Sequence, residues 1–370
     1  LSIGDATAGL NSIALLFNSG MTYTLGNNAS SKIIFISTSA TVQTIDWGGK
    51  TTGSVTFNAT SNGSWKYLST HNFSTIATLD LTKGTLDTNG QTLNGAFLTS
   101  DNGNIRTITL GSSVINLVGK DTPGLNFQYV SFDNLANLTV STNTAAINII
   151  RNAGANAYCY MGFQAKDWNG LDINFVGGGL GVLGGGSGST FHNITYTGAA
   201  NSNNVEDVLR IREAVTISNA LTFNGYSATR RMKMHIDGVK TLNVNTATVT
   251  GQYVDFYDTN FSAAKDLSGF LGGSGDANSN SNITFTPAVT CYWKTTTGGT
   301  KQWSDVNNWY LGTNGTGGQA RIPLPQDDVI FDVNSIGAAS TIVNVNSDVL
   351  RVGKNIDWTG VTNNPTWNFL

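Results

Sequence analysis

Carboxylates are the residues of this chain best placed to do chemistry. Cleaving a sugar chain needs two or more acids converging on one groove. Acids cluster locally at Asp327-Asp328-Asp332, Glu206-Asp207 and Asp255-Asp258. Asp327 and Asp328 are neighbours and would face opposite sides of a strand, whereas Asp328 and Asp332 would share a face. Such a pair could also take Ca²⁺, which prefers carboxylate and carbonyl oxygens. Aspartates in this pattern more commonly cap turns and hold hydrogen bonds, and that reading is preferred. No catalytic residue and no metal ligand is assigned.

Three tryptophans, Trp293, Trp303 and Trp309, stand close together. Their flat faces could stack on sugar rings. Alternatively they plug the end of a solenoid, whose open edge would otherwise invite pairing, or a junction between two units. The capping role is preferred over glycan contact.

Other apparent motifs fail on context. GLGVLG (Gly179, Gly181, Gly184) has dinucleotide-loop spacing, but the next residues read as another strand, not as a helix that could hold pyrophosphate. WGGKTTG around Lys50 resembles the end of a phosphate loop, yet Thr44 stands where its first glycine belongs. His71, His192 and His235 lie far apart, with no partner at metal-ligand spacing. No cofactor is implied. Cys159 and Cys291 permit one bridge at most and read as two buried free thiols, leaving the redox compartment open.

These side chains must be positioned by strands. The chain has 370 residues with 43 glycines, and glutamate occurs only at Glu206 and Glu213. Gly, Asn, Ser and Thr are poor in helix interiors, and Thr and Val suit a pleated surface. Short runs with partial alternation follow one another, bounded by Gly, Asn, Asp or Ser. Examples are SKIIFIS, TVQTIDW, SVTFNA, NIRTITL, TFHNITYTG and TLNVNTATVTG. Asn89-Gly90 marks a tight turn. Two segments could be short helices, Val205 to Ala214 and the stretch from Phe261.

The fold class is all-β. No composition break appears between about residue 30 and residue 285, and no blade motif recurs. That continuity favours a right-handed parallel β-helix, with tandem β-sandwiches as the alternative. In a solenoid each coil buries its apolar positions against the next, and Asn, Ser and Thr can stack in ladders. Net charge is −3, with 20 basic and 23 acidic residues. No basic stripe exists to neutralise phosphates, which argues against nucleic acid. No apolar run is long enough for a membrane helix, and none suggests membrane insertion. The chain starts at Leu1 without a visible signal peptide, which reads as a processed or truncated start.

The stretch Cys291 to Asp332 punctuates the chain. Beyond it, Ile356-Asp357-Trp358 and Thr366-Trp367-Asn368 echo Ile45-Asp46-Trp47 and Thr56-Phe57-Asn58. LLFNSG, from Leu15, sits roughly where VIFDVNS, from Val329, sits. Residues 1–286 are therefore read as one β-helical unit, and 287–370 as a Trp-rich junction and the start of a second β-rich unit.

Tyr292-Trp293, Trp303-Ser304-Asp305, Asn308-Trp309, Pro323 to Pro325 and Asp327 to Asp332 resemble a module of large bacteriophage virion proteins, of tail-fibre or appendage type, and of repetitive bacterial surface adhesins. GTLDTNGQTL and IRTITLGSS resemble the coil repeats of the same proteins. Residues 1–30 depart from the pattern, since they lack the Trp motif. The resemblance implies a non-enzymatic structural or adhesive role on a virion or cell surface, extracellular in either case. It implies a homo-oligomer or filament and a possible surface glycan as partner. A polysaccharide-degrading β-helix enzyme and a self-assembling extracellular filament subunit are the alternatives.

Overall fold

The computed structural model describes residues 2–5, 13–17, 20–22 and 32–369, apart from short internal breaks at 75–76, 96, 119–125, 133, 151–157, 164–165, 185–186, 201–205, 239, 346–348 and 350–351. Among the described residues regular structure is strand, with two single 3₁₀ turns at Val306–Asn308 and Thr313–Gly315. None of their helices is long and apolar enough to cross a membrane.

Strands stack in parallel, coil upon coil, along three faces. The first face runs from Ser2–Asp5 through Lys32–Ser37, Ser54–Asn58 and the start of Thr78–Asp87 to Phe97–Thr99. It continues through Asn126–Phe132, Tyr158–Phe163, Leu180–Gly184 and Asp207–Ile211 to Met232–Ile236. The second carries Ile13–Leu16, Val42–Asp46, Ser64–Tyr67, the end of Thr78–Asp87, Arg106–Thr109 and Leu138–Ser141. The third carries His71–Phe73, Leu93–Gly95, Val114–Val118, Ala146–Ile150, and then parts of Asp167–Val176, Ser189–Thr197 and Val215–Asn224. This is a parallel β-helix. A sandwich needs antiparallel neighbours. Among the described strands these occur only where Trp309–Gly312 pairs with Thr290–Trp293 and with Thr316–Gln319.

Alternation explains why these residues are strands. In Met232–Ile236 the residues Met232, Met234 and Ile236 point inward while Lys233 and His235 face out. The two segments expected as possible helices follow the same rule. Asp207–Ile211 is a strand with Asp207, Leu209 and Ile211 inward. The stretch from Phe261 lies in the strands Asn260–Asp266 and Leu271–Asp276. Both readings were available locally. Registered stacking on Leu180–Gly184, and of Leu271–Asp276 on Thr248–Tyr257, decides for strand.

An asparagine ladder runs up the third face. Asn94, Asn116, Asn148 and Asn174 each donate through Nδ2 to Oδ1 of the asparagine one coil below, at 2.8–2.9 Å, beginning on Asn72. The successive spacings of 22, 22, 32 and 26 residues are the lengths of those coils.

Buried apolar residues form two separate cores. One extends from Phe17 to Leu267, with Ile283 and Phe285 packed against it. The other extends from Cys291 to Val345, with Val289 and Trp367 among the residues packed against it.

The echo between the two ends is structural as well as sequential. Phe17 donates its N–H to Asp46 O, and Phe331 donates its N–H to Asp357 O, at 2.9 and 2.8 Å. Leu15 pairs with Ile45 as Val329 pairs with Ile356. Phe35 pairs with Phe57 as Val343 pairs with Trp367. Ser2–Asp5 lies under Lys32–Ser37 as Gly299–Gln302 lies under Thr341–Val345. Order and pairing agree for these strands, while among the described residues Thr51–Thr52 and Thr290–Trp293 have no counterpart. The Trp-rich insertion of the second unit falls between its first and second strands, where the first unit has only residues 6–12.

Candidate functional site at the junction of the two cores

The loop 321–328, between the strands Thr316–Gln319 and Asp328–Ile330 of the second core, packs against the end of the first solenoid. Pro323 and Pro325 restrict its backbone, and Leu324 is buried. Gln326 does what the next strand would have done. Its Oε1 accepts the N–H of Asp276 at 2.9 Å, and its Nε2 donates to Ser274 O and Thr286 O at 3.0 and 2.9 Å. The edge of Leu271–Asp276 thus finds amide partners in one side chain, and its backbone groups are not left orphaned. Close approach here requires glycine at 275. A Cβ there would lie 2.0 Å from Asp255 Oδ1 and 2.8 Å from Pro325 Cδ.

Two buried carboxylates brace this loop. Asp327 takes Arg321 Nε at 3.0 Å and Nη2 at 2.6 Å, and also accepts the N–H groups of Val289 and Leu324. Asp255 takes Arg231 Nε at 2.7 Å, while the same guanidinium donates to the carbonyls of Val254, Gly272 and Gly273. Cys291 lies beside this network as a free thiol, pushed up to about 12 by burial and the Asp327 charge. A thiol so displaced is not a nucleophile at neutral pH. The side chain of Cys159 lies outside the described residues.

The remaining candidate acids serve separate turns and ladders. Asp328 is exposed and accepts Asn355 Nδ2 at 2.7 Å. Asp332 lies beyond the strand Asp328–Ile330 and closes its own turn, accepting the Asn334 N–H at 2.8 Å and the Ser335 and Thr313 hydroxyls. Asp328 and Asp332 therefore do not line one strand face. Among the described residues no group of three or more His, Cys, Asp and Glu could hold a metal.

Trp293, Trp303 and Trp309 are all buried. Trp293 and Trp309 meet edge to face at 4.8 Å, Trp303 and Trp309 at 4.6 Å, and Trp309 Nε1 donates to Trp303 O at 2.9 Å. Phe331 stacks between Trp293 and Trp358, at 5.5 and 4.4 Å. None of the three indoles of the motif offers a face to a sugar. They also lie in the second core and not over the end of the first, because Gln326 and its loop already occupy that end.

A second constellation lies on the first face of the solenoid. Arg210, His235 and Tyr257 stack as neighbours on successive coils. Arg210 clamps Asp237 with contacts of 2.7 and 2.9 Å, and His235 lies 3.7 Å from both Asp237 and Asp258. Burial lowers the His235 pKa. Burial also pushes Asp237 up, but the Arg210 contact outweighs it, and Asp237 ends below the ordinary carboxylate range. Asp207 pairs instead with Arg230 at 3.3 Å and accepts the Gly179 N–H. His192 contacts Asp172 at 2.9 Å, and His71 lies in the core. Gly181 and Gly184 lie in the strand Leu180–Gly184 and not in a phosphate loop.

A cleft of about 590 Å³ opens on the Arg321 side of the junction, between solenoid residues Thr229, Ser268 and Phe270 and residues Ser304 and Val306 of the Trp-rich stretch. Sequence reasoning did not single out Gln326, Arg231, Arg321 or this cleft. Gln326 reaches partners up to 52 residues away, a separation that carries no periodic signal. No protein-family model, curated protein or solved structure matches the chain.

Proposed function

We propose that this chain is a non-enzymatic structural or adhesive protein of a virion or cell surface, working as a β-solenoid. The observation that most supports this is the use made of its buried charges. Asp207, Asp255 and Asp327 are each buried, each held by an arginine, and the arginines of the last two also clamp backbone carbonyls. A carboxylate so committed brace coils and loops and is poorly placed to carry protons. The resemblance of the Trp-rich stretch supplies the virion or surface setting. A surface glycan and further copies of the chain are the partners this reading takes.

The test is chemical inertness together with rigidity. Incubation with acidic and neutral polysaccharides should release no new reducing or unsaturated ends. Reproducible release, lost on Asp237→Asn or His235→Ala, would replace this reading with the polysaccharide-degrading one. That second reading has one observation in its favour, the Arg210, His235, Tyr257 row with Asp237 and Asp258 beside it. A neutral His235 could act as a base there, but Asp237 is engaged by Arg210 and makes a poor general acid.

A further inference from the structure

We propose that the cleft on the Arg321 side of the junction binds a neutral oligosaccharide. The inference rests on the adhesive reading above and gives it a site. The volume, about 590 Å³, lies within the usual range for ligand pockets of roughly 300–1,000 Å³.

Its walls combine two kinds of group that sugars need. Phe270 is only partly covered by the core and supplies an apolar ring face. Ser227 and Thr229, whose hydroxyls lie 3.2 Å apart, line the cleft beside it. Aromatic rings with nearby hydroxyls suit the apolar face and polar rim of a pyranose.

Backbone shape adds to the case. Tyr253 adopts φ 48°, a region that bulky residues rarely enter. It does so at a bulge between Gln252 and Val254. A Cβ at position 272, itself in the cleft wall, would lie 2.2 Å from the Tyr253 ring. Glycine at 272 therefore lets the Tyr253 ring lie against the backbone of the cleft wall.

Charge decides the class of sugar. Two guanidiniums, Arg231 and Arg321, line the cleft, which by count alone would suggest an acidic glycan. Each is already matched by a buried carboxylate, Asp255 or Asp327, at 2.7 and 2.6 Å. The pairs cancel, so a uronate or sialate gains little there. Arg321, whose side chain is 28% exposed, still offers guanidinium hydrogen bonds to neutral hydroxyls. The larger opening on the other side of the loop, lined by Asp276, Gln326 and Lys354, has no aromatic wall and is not the site.

The experiment is calorimetric titration with cellohexaose, chitotetraose and a linear mannohexaose, with hexagalacturonate as the acidic counter-probe, on the full chain. At least one neutral probe should bind, with affinity insensitive to salt. Phe270→Ala and Val306→Arg should each weaken it tenfold or more, and Lys354→Ala should leave it unchanged. Val306 belongs to neither core, so its variant remains informative if Phe270→Ala fails to fold. Absence of binding by all three neutral probes overturns the site, as does binding that survives both variants or hexagalacturonate binding tighter. None of these results touches the structural reading, which falls only if probes are cleaved.

Discussion

His71 shows how much one buried side chain can set. Its ring stacks on Trp47 at 3.6 Å and lies 3.6 Å from Phe73. Thr52 Oγ1 donates to Gly53 O, so it receives the His71 Nε2 proton at 2.8 Å, and Nδ1 then accepts from the Tyr67 hydroxyl at 3.0 Å. Both partners suit the neutral ring. Burial accordingly holds its pKa well below the ordinary histidine value. The unfolded chain binds a proton below about pH 6.5 that the folded chain refuses. Stability is therefore complete above that pH and falls as pH drops through it, by up to about 1.4 kcal/mol per pH unit. Thermal melting between pH 7.5 and 5 should show the fall. His71→Gln should flatten the curve relative to the parent, and an unchanged slope would refute the assignment. Burial lowers His235 as well, so the difference between the two proteins is the informative quantity. Trp303 gives a second prediction at this scale. With its indole in contact with Trp309, Phe331 and Trp367, Trp303→Ala should cost about 3–5 kcal/mol. Denaturant unfolding would measure it, and a parent-like midpoint would show that the cluster does not hold the second unit together.

Strands were the most legible elements, because alternation fixes both conformation and facing. Isolated segments remained ambiguous where, as in Asp207–Ile211, only the coil below settles the choice. Ladder formation was foreseeable from composition, but its members were not, since coil lengths vary between neighbouring asparagines. Asn116 accepts from Asn148 and donates to Asn94, so Asn116→Ala strands two half-buried amide groups. The expected cost is about 1–3 kcal/mol, read as a lower denaturation midpoint with an unchanged slope. The tryptophans were visible as a cluster, but the burial of all three in the second core was not. What closes the first solenoid is an amide on the loop 321–328, which no spacing rule marks. Gln326→Glu would keep the acceptor for Asp276 N–H but set a carboxylate against the carbonyls of Ser274 and Thr286. Faster hydrogen exchange at the strand Leu271–Asp276 should follow. Protection equal to the parent's would mean that the edge is held by other contacts.

At the scale of the whole molecule, the strand pairings of residues 299–369 repeat those of residues 2–58. Leu15, Phe35, Ile45 and Phe57 occupy the pairing positions of Val329, Val343, Ile356 and Trp367. Apolar character is kept while size changes, from Phe35 to Val343 and from Phe57 to Trp367, so each unit conserves inward facing and repacks volume between its own coils. If the units are equivalent in this sense, one can stand in for the other. A chain whose residues 1–58 are replaced by a second copy of 287–368, continuing at Ala59, should fold with a β-dominated spectrum and melt cooperatively near the parent temperature. Asn368 then takes the place of Asn58, and the coil beginning at Ala59 meets inward residues in the register it already uses. A control joined one residue out, from Asn368 directly to Thr60, displaces the coil that Ser64–Tyr67 must build. A one-residue slip exchanges the faces of a strand, and it would turn Trp65 and Tyr67, now both buried, toward solvent. The correctly joined chain should therefore be the more stable of the two. Equal melting of both, or failure of the first alone, would mean that the resemblance between the ends is confined to strand order and does not extend to packing.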